Sequence, residues 1–140
     1  MTFVNRTPKG TINNEDRTKA SALVTTTGII YQNNLSTGAL EPAAAASIQS
    51  VKYWLANETI AAVDARLAVN CQLVSPEDEL VVDSVNNSNS AHNGQRMIFN
   101  ATGDKVNNSG ADVTGATGVW TQTGVVGAAA DKKIKVRLTI

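Results

Sequence analysis

At 140 residues the chain suffices for one ordinary domain and is short for two. A domain of that size buries roughly two thirds of the surface its unfolded chain exposes, so it holds a core without staples. The 12 Lys and Arg balance the 12 Asp and Glu, which leaves no cationic surplus to displace counterions from nucleic-acid phosphates.

A single cysteine, Cys71, excludes an intramolecular disulfide and suits assembly in a reducing cytoplasm. No stretch reaches the roughly 20 apolar residues that span a bilayer, and Met1 to Thr7 lacks the apolar core of a secretory signal. Neither membrane nor nucleic acid is therefore an expected partner. Charged residues make up only 17% of the chain, while Asn, Thr, Ser, Ala and Gly are abundant. Small uncharged polar groups cost little to desolvate against another protein, so the composition favours assembly.

Residues 1–20 are polar, contain Pro8-Lys9-Gly10 and show no sustained apolar period. They read as an extended arm, either a disordered tail or a tether that gains order on binding and lies along a neighbouring subunit. Phe3, Val4, Arg6 and Lys9 are its candidate contacts. Residues 21–140 are expected to form one β-rich domain that stays folded when the arm is removed.

Within that domain the pattern is β from Ala22 onward. Leu23-Val24-Thr25-Thr26-Thr27 is mostly β-branched, Gly28 interrupts before Ile29-Ile30-Tyr31, and Asn33-Asn34 with Thr37-Gly38 marks a turn. Pro42-Ala43-Ala44-Ala45-Ala46-Ser47 suits a loop or one helical turn. A strand near 48–56 follows, with Val51, Tyr53 and Leu55 opposed to Ser50, Lys52 and Trp54. Leu67, Val69, Cys71 and Leu73 alternate with Arg66, Ala68, Asn70 and Gln72, as a sheet with one buried face requires.

Ser75-Pro76-Glu77-Asp78 breaks that strand, and Glu79-Leu80-Val81-Val82-Asp83 starts another. Asn93-Gly94 signals a hairpin, with 96–99 as the returning strand. Residues 101–118 are a turn-rich loop or a chain of short hairpins. Val85-Asn86-Asn87-Ser88 and Val106-Asn107-Asn108-Ser109 look alike, which reflects shared turn chemistry and not a structural repeat. The clearest strand is the last: Ile134, Val136, Leu138 and Ile140 alternate with Lys133, Lys135, Arg137 and Thr139, and a strand near 119–126 pairs with it antiparallel. About eight short strands between turn signals mean an all-β fold, a small antiparallel sandwich or barrel with an extended N-terminal arm and at most a short helical turn.

Catalytic, cofactor and metal signatures are absent. The one histidine, His92, sits in a polar loop, and Cys71 falls on an apolar strand face as a small core residue. Glu77-Asp78-Glu79 reads as a surface turn, because adjacent acids in a turn do not converge on one cation. Trp54 and Trp120 read as core or subunit-interface anchors; the alternative is a carbohydrate-binding module that stacks sugars on them. Lys133, Lys135 and Arg137 form a basic stripe that is either solvated or opposed to acidic patches on a partner.

The second half of the chain resembles a group of small bacteriophage head-decoration (cement) proteins. The resemblance lies in Asn93-Gly94-Gln95-Arg96-Met97, Val106-Asn107-Asn108-Ser109-Gly110 and the run from Gly118-Val119-Trp120 through Lys133-Ile134-Lys135-Val136-Arg137. The layout from the Ala-rich loop to Glu79-Leu80-Val81-Val82-Asp83 is similar as well. The resemblance implies a non-enzymatic virion subunit on the outer capsid surface, bridging neighbouring major capsid proteins, commonly as a homotrimer and without cofactor. The alternative is another virion component, such as a tail or fibre protein.

Overall fold

The structure is a computed structural model describing residues 3–7, 14–19, 23–43, 52–62, 66–108 and 118–139, the side chains of 4–7 excepted. Eleven short strands occur among them: β1 (Phe3–Thr7), β2 (Asn14–Thr18), β3 (Ile30–Asn33), β4 (Leu40–Pro42), β5 (Tyr53–Ala56), β6 (Ala68–Leu73), β7 (Glu79–Asp83), β8 (Arg96–Phe99), β9 (Val106–Asn107), β10 (Trp120–Val126) and β11 (Lys133–Leu138). They form two antiparallel sheets, one in the order β1-β7-β11-β10-β8-β9 and the other β2-β6-β5-β3-β4. The expected all-β, sandwich-like architecture is what the chain adopts. Its only helical pieces among the described residues are single 3-10 turns at Ser90–His92 and Ala129–Asp131.

The alternation of apolar residues along each strand builds the core between the sheets. Leu80 and Val82 of β7, Ile134 and Val136 of β11, Met97 and Phe99 of β8, and Trp120 of β10 point inward from the first sheet. Ile30, Tyr53 and Leu55 meet them from the second. Phe3, Tyr53, Phe99 and Trp120 stack as an aromatic group with ring centroids 5.4 to 6.4 Å apart. Such contacts add about 0.5–1.5 kcal/mol per pair beyond the area buried.

The second sheet is covered on both faces. Its far side holds another cluster, in which Tyr31, Trp54, Ala56, Val69 and Cys71 pack with Leu40 and Ile60. Two features close this side. A parallel bridge from Lys19 to Leu40 brings the two edges of the sheet together, which rolls it toward a half-barrel, and the bridge from Thr25 to Ile60 lays the 23–29 segment across the opening. All four residues of β5 are therefore buried, where one-sided alternation would leave Trp54 exposed.

Three sequence expectations change. The segment 23–27 is no regular strand; it makes one bridge at Thr25, and the strand begins at Ile30, because its role is to cap the second cluster with Leu23. Asn93-Gly94 does not join β7 to β8, since β7 pairs with β1 and β11, and β8 with β10 and β9. Gly94 supplies the positive φ of 85° where the 3-10 turn hands over to β8.

The largest change is at the N-terminus. The part of the expected arm that is described is docked into the body: β1 lies on the edge of the first sheet against β7, and β2 on the edge of the second against β6. The fully buried Phe3 explains why, since its ring completes the aromatic group. An N-terminal segment that fills the core is not free to tether a neighbour through Phe3.

Candidate docking surface

Trp54 and Trp120, offered as partner anchors, are 2% and 0% exposed. Trp120 completes the central core, and Trp54 lies in the second cluster with the Arg17 guanidinium 4.8 Å from its ring centroid. Stacking on a sugar needs an open ring face, and neither indole presents one to solvent. Phe3 is likewise a core residue. Val4 and Arg6 belong to β1, with Val4 opposite Val81 in register, and their side chains lie outside the described set. Lys9 lies outside the described residues altogether.

Lys133, Lys135 and Arg137 do share the outer face of β11, as their alternation requires. Their surroundings are not purely basic. Lys133 Nζ sits 2.6 Å from Asp83 Oδ1, and Arg137 Nη2 lies 3.9 Å from Glu79 Oε2, which also accepts from Thr123 Oγ1 at 2.8 Å. Register creates these pairs, because Lys133 stands opposite Asp83 in the antiparallel pairing of β7 and β11. The face is a mixed-charge lattice edged by Thr121 and Thr139, whose hydroxyls are hydrogen-bonded to each other.

Glu77, Asp78 and Glu79 diverge as a surface turn would. Asp78 is buried and accepts the Ser75 N–H on its Oδ2 at 3.0 Å, while Glu79 faces the outer lattice. Cys71 is fully buried, and burial pushes its thiol up to about 12. Among the described residues no group of three or more His, Cys, Asp and Glu is placed to hold a metal ion, and no helix is long and apolar enough to cross a membrane.

The feature missed in the sequence is the tip of the β3–β4 hairpin. Leu35 is 74% exposed, the most open large apolar side chain among the described residues. The loop beneath it is internally bonded. Asn34 Oδ1 accepts the N–H groups of Ser36 and Thr37 at 2.9 Å each, Asn34 O accepts Gly38 N–H at 2.8 Å, and Asn34 N–H donates to Ala39 O at 2.8 Å. Asn34 Nδ2 and Gln32 Nε2 donate to the two oxygens of Glu41 at 2.9 and 2.8 Å, holding that carboxyl below its ordinary range. The result is a stiff, neutral apex with an apolar point. A lone leucine between two turn markers was the available signal, since no strand face in that stretch could bury it.

Comparison with known proteins finds no matching family model, no matching curated protein and no matching solved structure.

Proposed function

We propose that the chain is a bacteriophage capsid decoration protein, which binds the outside of a phage head and bridges neighbouring major capsid proteins. The resemblance of its second half to that group motivates the proposal. The observation that supports it best is Leu35 on its bonded tip. Holding a loop rigid before contact removes ordering entropy from binding, and an apolar apex ringed by neutral amides and hydroxyls suits a crevice on a protein surface. The neutralised outer face of the first sheet suits a contact that depends little on charge.

Cementing of this kind is multivalent. An oligomer, in this reading a trimer, engages several shell subunits at once, and after the first contact the others become effectively intramolecular. Modest contacts then sum to firm retention against the outward push of packaged DNA. The test is co-sedimentation of the purified protein with heads stripped of it. Wild type is expected to pellet with heads and Leu35→Ser to pellet markedly less, with an unchanged urea midpoint. Labelling on tails alone would refute the head assignment.

A further inference from the structure

Asn93-Gly94 is the single Asn-Gly step in the chain, and the fold does not use it as a hairpin turn. We propose that Asn93 is a deamidation site that Gln122 holds closed, so that it reacts only when the 89–94 segment opens. This inference stands apart from the capsid assignment.

Asn-Gly steps are chemically labile because no side chain shields the following backbone nitrogen. The Gly94 nitrogen loses its proton to solvent base and attacks Asn93 Cγ; the N–Cγ bond forms, Cγ–Nδ2 breaks, and ammonia leaves. Water then opens the resulting five-membered imide, giving an aspartyl or isoaspartyl residue at 93. The net change is one amide plus water to one acid plus ammonia, with no oxidant or reductant. Both residues are exposed, and open space lies where a Gly94 Cβ would stand, so solvent reaches the site.

Both reacting groups are nevertheless tied to Gln122, whose side chain is 0% exposed in the seven-residue strand β10. The Gly94 N–H donates to Gln122 O at 2.8 Å, so the attacking nitrogen is committed to an acceptor. Gln122 Nε2 donates to Asn93 Oδ1 at 2.8 Å and to Asn89 O at 2.9 Å, so the Asn93 amide is anchored as well. Gln122 Oε1 has no partner among the described residues, and flipping the amide would set it against both acceptors; the orientation is thus fixed by the loop it holds. The bond to Asn93 Oδ1 also polarises the carbonyl under attack. With the nucleophile restrained by its own hydrogen bond, holding outweighs that polarisation.

An isoaspartyl linkage would add a methylene to the main chain between Asn93 and Gly94, which displaces Gly94 N from Gln122 O. It would also add one negative charge to a chain of zero formal charge. The product would record time spent with the segment open and resist its closure.

The experiment is peptide mapping by mass spectrometry, with fragmentation that separates isoaspartate from aspartate, after incubation at mildly alkaline pH. Folded wild type is expected to convert at position 93 on the order of tenfold more slowly than wild type in urea, the ratio that opening two hydrogen bonds implies. Gln122→Leu, with its fold checked by circular dichroism, is expected to convert faster than folded wild type. Equal rates in folded and unfolded wild type, or a folded Gln122→Leu that reacts no faster, would overturn the proposal. If the variant does not fold, the wild-type rate across sub-denaturing urea decides: a rise that follows opening supports the lock, and a flat rate refutes it.

Discussion

Asn108 grips Asn86 by both ends of its amide: its Oδ1 accepts the Asn86 N–H at 2.8 Å, and its Nδ2 donates to the Asn86 carbonyl at 3.1 Å and to that of Asn87 at 3.1 Å. The two look-alike fragments around 86 and 107 therefore lie side by side. The side chain of one replaces a strand's backbone ladder for the other, next to the Ser84–Val106 bridge. The expected shared turn chemistry is not what the structure shows, since Val106–Asn107 is strand β9 and Val85-Asn86 a bend, and the contact between the fragments is what the sequence did not reveal.

Asn108 is almost fully buried, and truncating it removes three hydrogen bonds to backbone groups, of which, among the described residues, only the Asn86 carbonyl keeps another partner, the Ser84 hydroxyl at 2.7 Å. Asn108→Ala is expected to lower the unfolding free energy by about 1–3 kcal/mol, as the loss of hydrogen bonds worth about 0.5–1.5 kcal/mol each implies. Asn108→Asp, which keeps the acceptor and loses the donors, should fall in the same direction. Urea denaturation measures both.

The N-terminal strand is expected to behave as core and not as a detachable arm. Phe3→Ala removes a buried ring from the aromatic group and should destabilise by about 3 kcal/mol. Deleting residues 1–7 should do at least as much. A deletion variant with the wild-type urea midpoint would mean that Phe3 does not occupy the core in solution.

What was legible in the sequence followed from periodicity. β11 and most of β6 carry clean alternation and lie where the apolar residues indicated, although Leu67 falls outside β6 and is exposed; β7 was marked by its apolar run Leu80-Val81-Val82. What escaped notice depends on partners distant in sequence. Residues 3–7 show no period that marks a core strand; they pair with β7 through the backbone, and Phe3 packs against Trp120 far along the chain. Trp54 fell with Ser50 and Lys52 on the polar side of its strand because alternation cannot report a second cover over the sheet, here built from Leu23, Ile60 and their neighbours. The basic stripe was visible, but its acids, Glu79 and Asp83, come from β7 and align only through register.

Alkaline pH should weaken the fold in a defined window. Burial raises the Cys71 thiol from 9.0 to about 12, so the folded state disfavours the thiolate that the unfolded chain forms readily. The associated stability is full below about pH 9 and is lost progressively as the pH climbs toward 12. Burial also raises Tyr31, which adds to the loss in the same direction above its ordinary value of 10.0. Urea midpoints across this range should fall, and Cys71→Ala should fall less steeply. At neutral pH a thiol reagent is expected to label Cys71 only after unfolding.

The lattice on the outer face should contribute little to folding. Lys133 and Asp83 are both partly exposed, so Lys133→Ala is expected to change stability by less than about 1 kcal/mol. Head binding should likewise decline only slightly from low to physiological salt. A steep decline would instead identify Lys133, Lys135 and Arg137 as the main contacts.

The most direct measurement is a reconstruction of heads with and without this protein at a resolution that shows hairpins. Added density on the outer surface, bridging adjacent capsid subunits with the Leu35 tip seated between side chains of the shell, is the expected result. Heads that show no added density at saturating protein would contradict the proposed role.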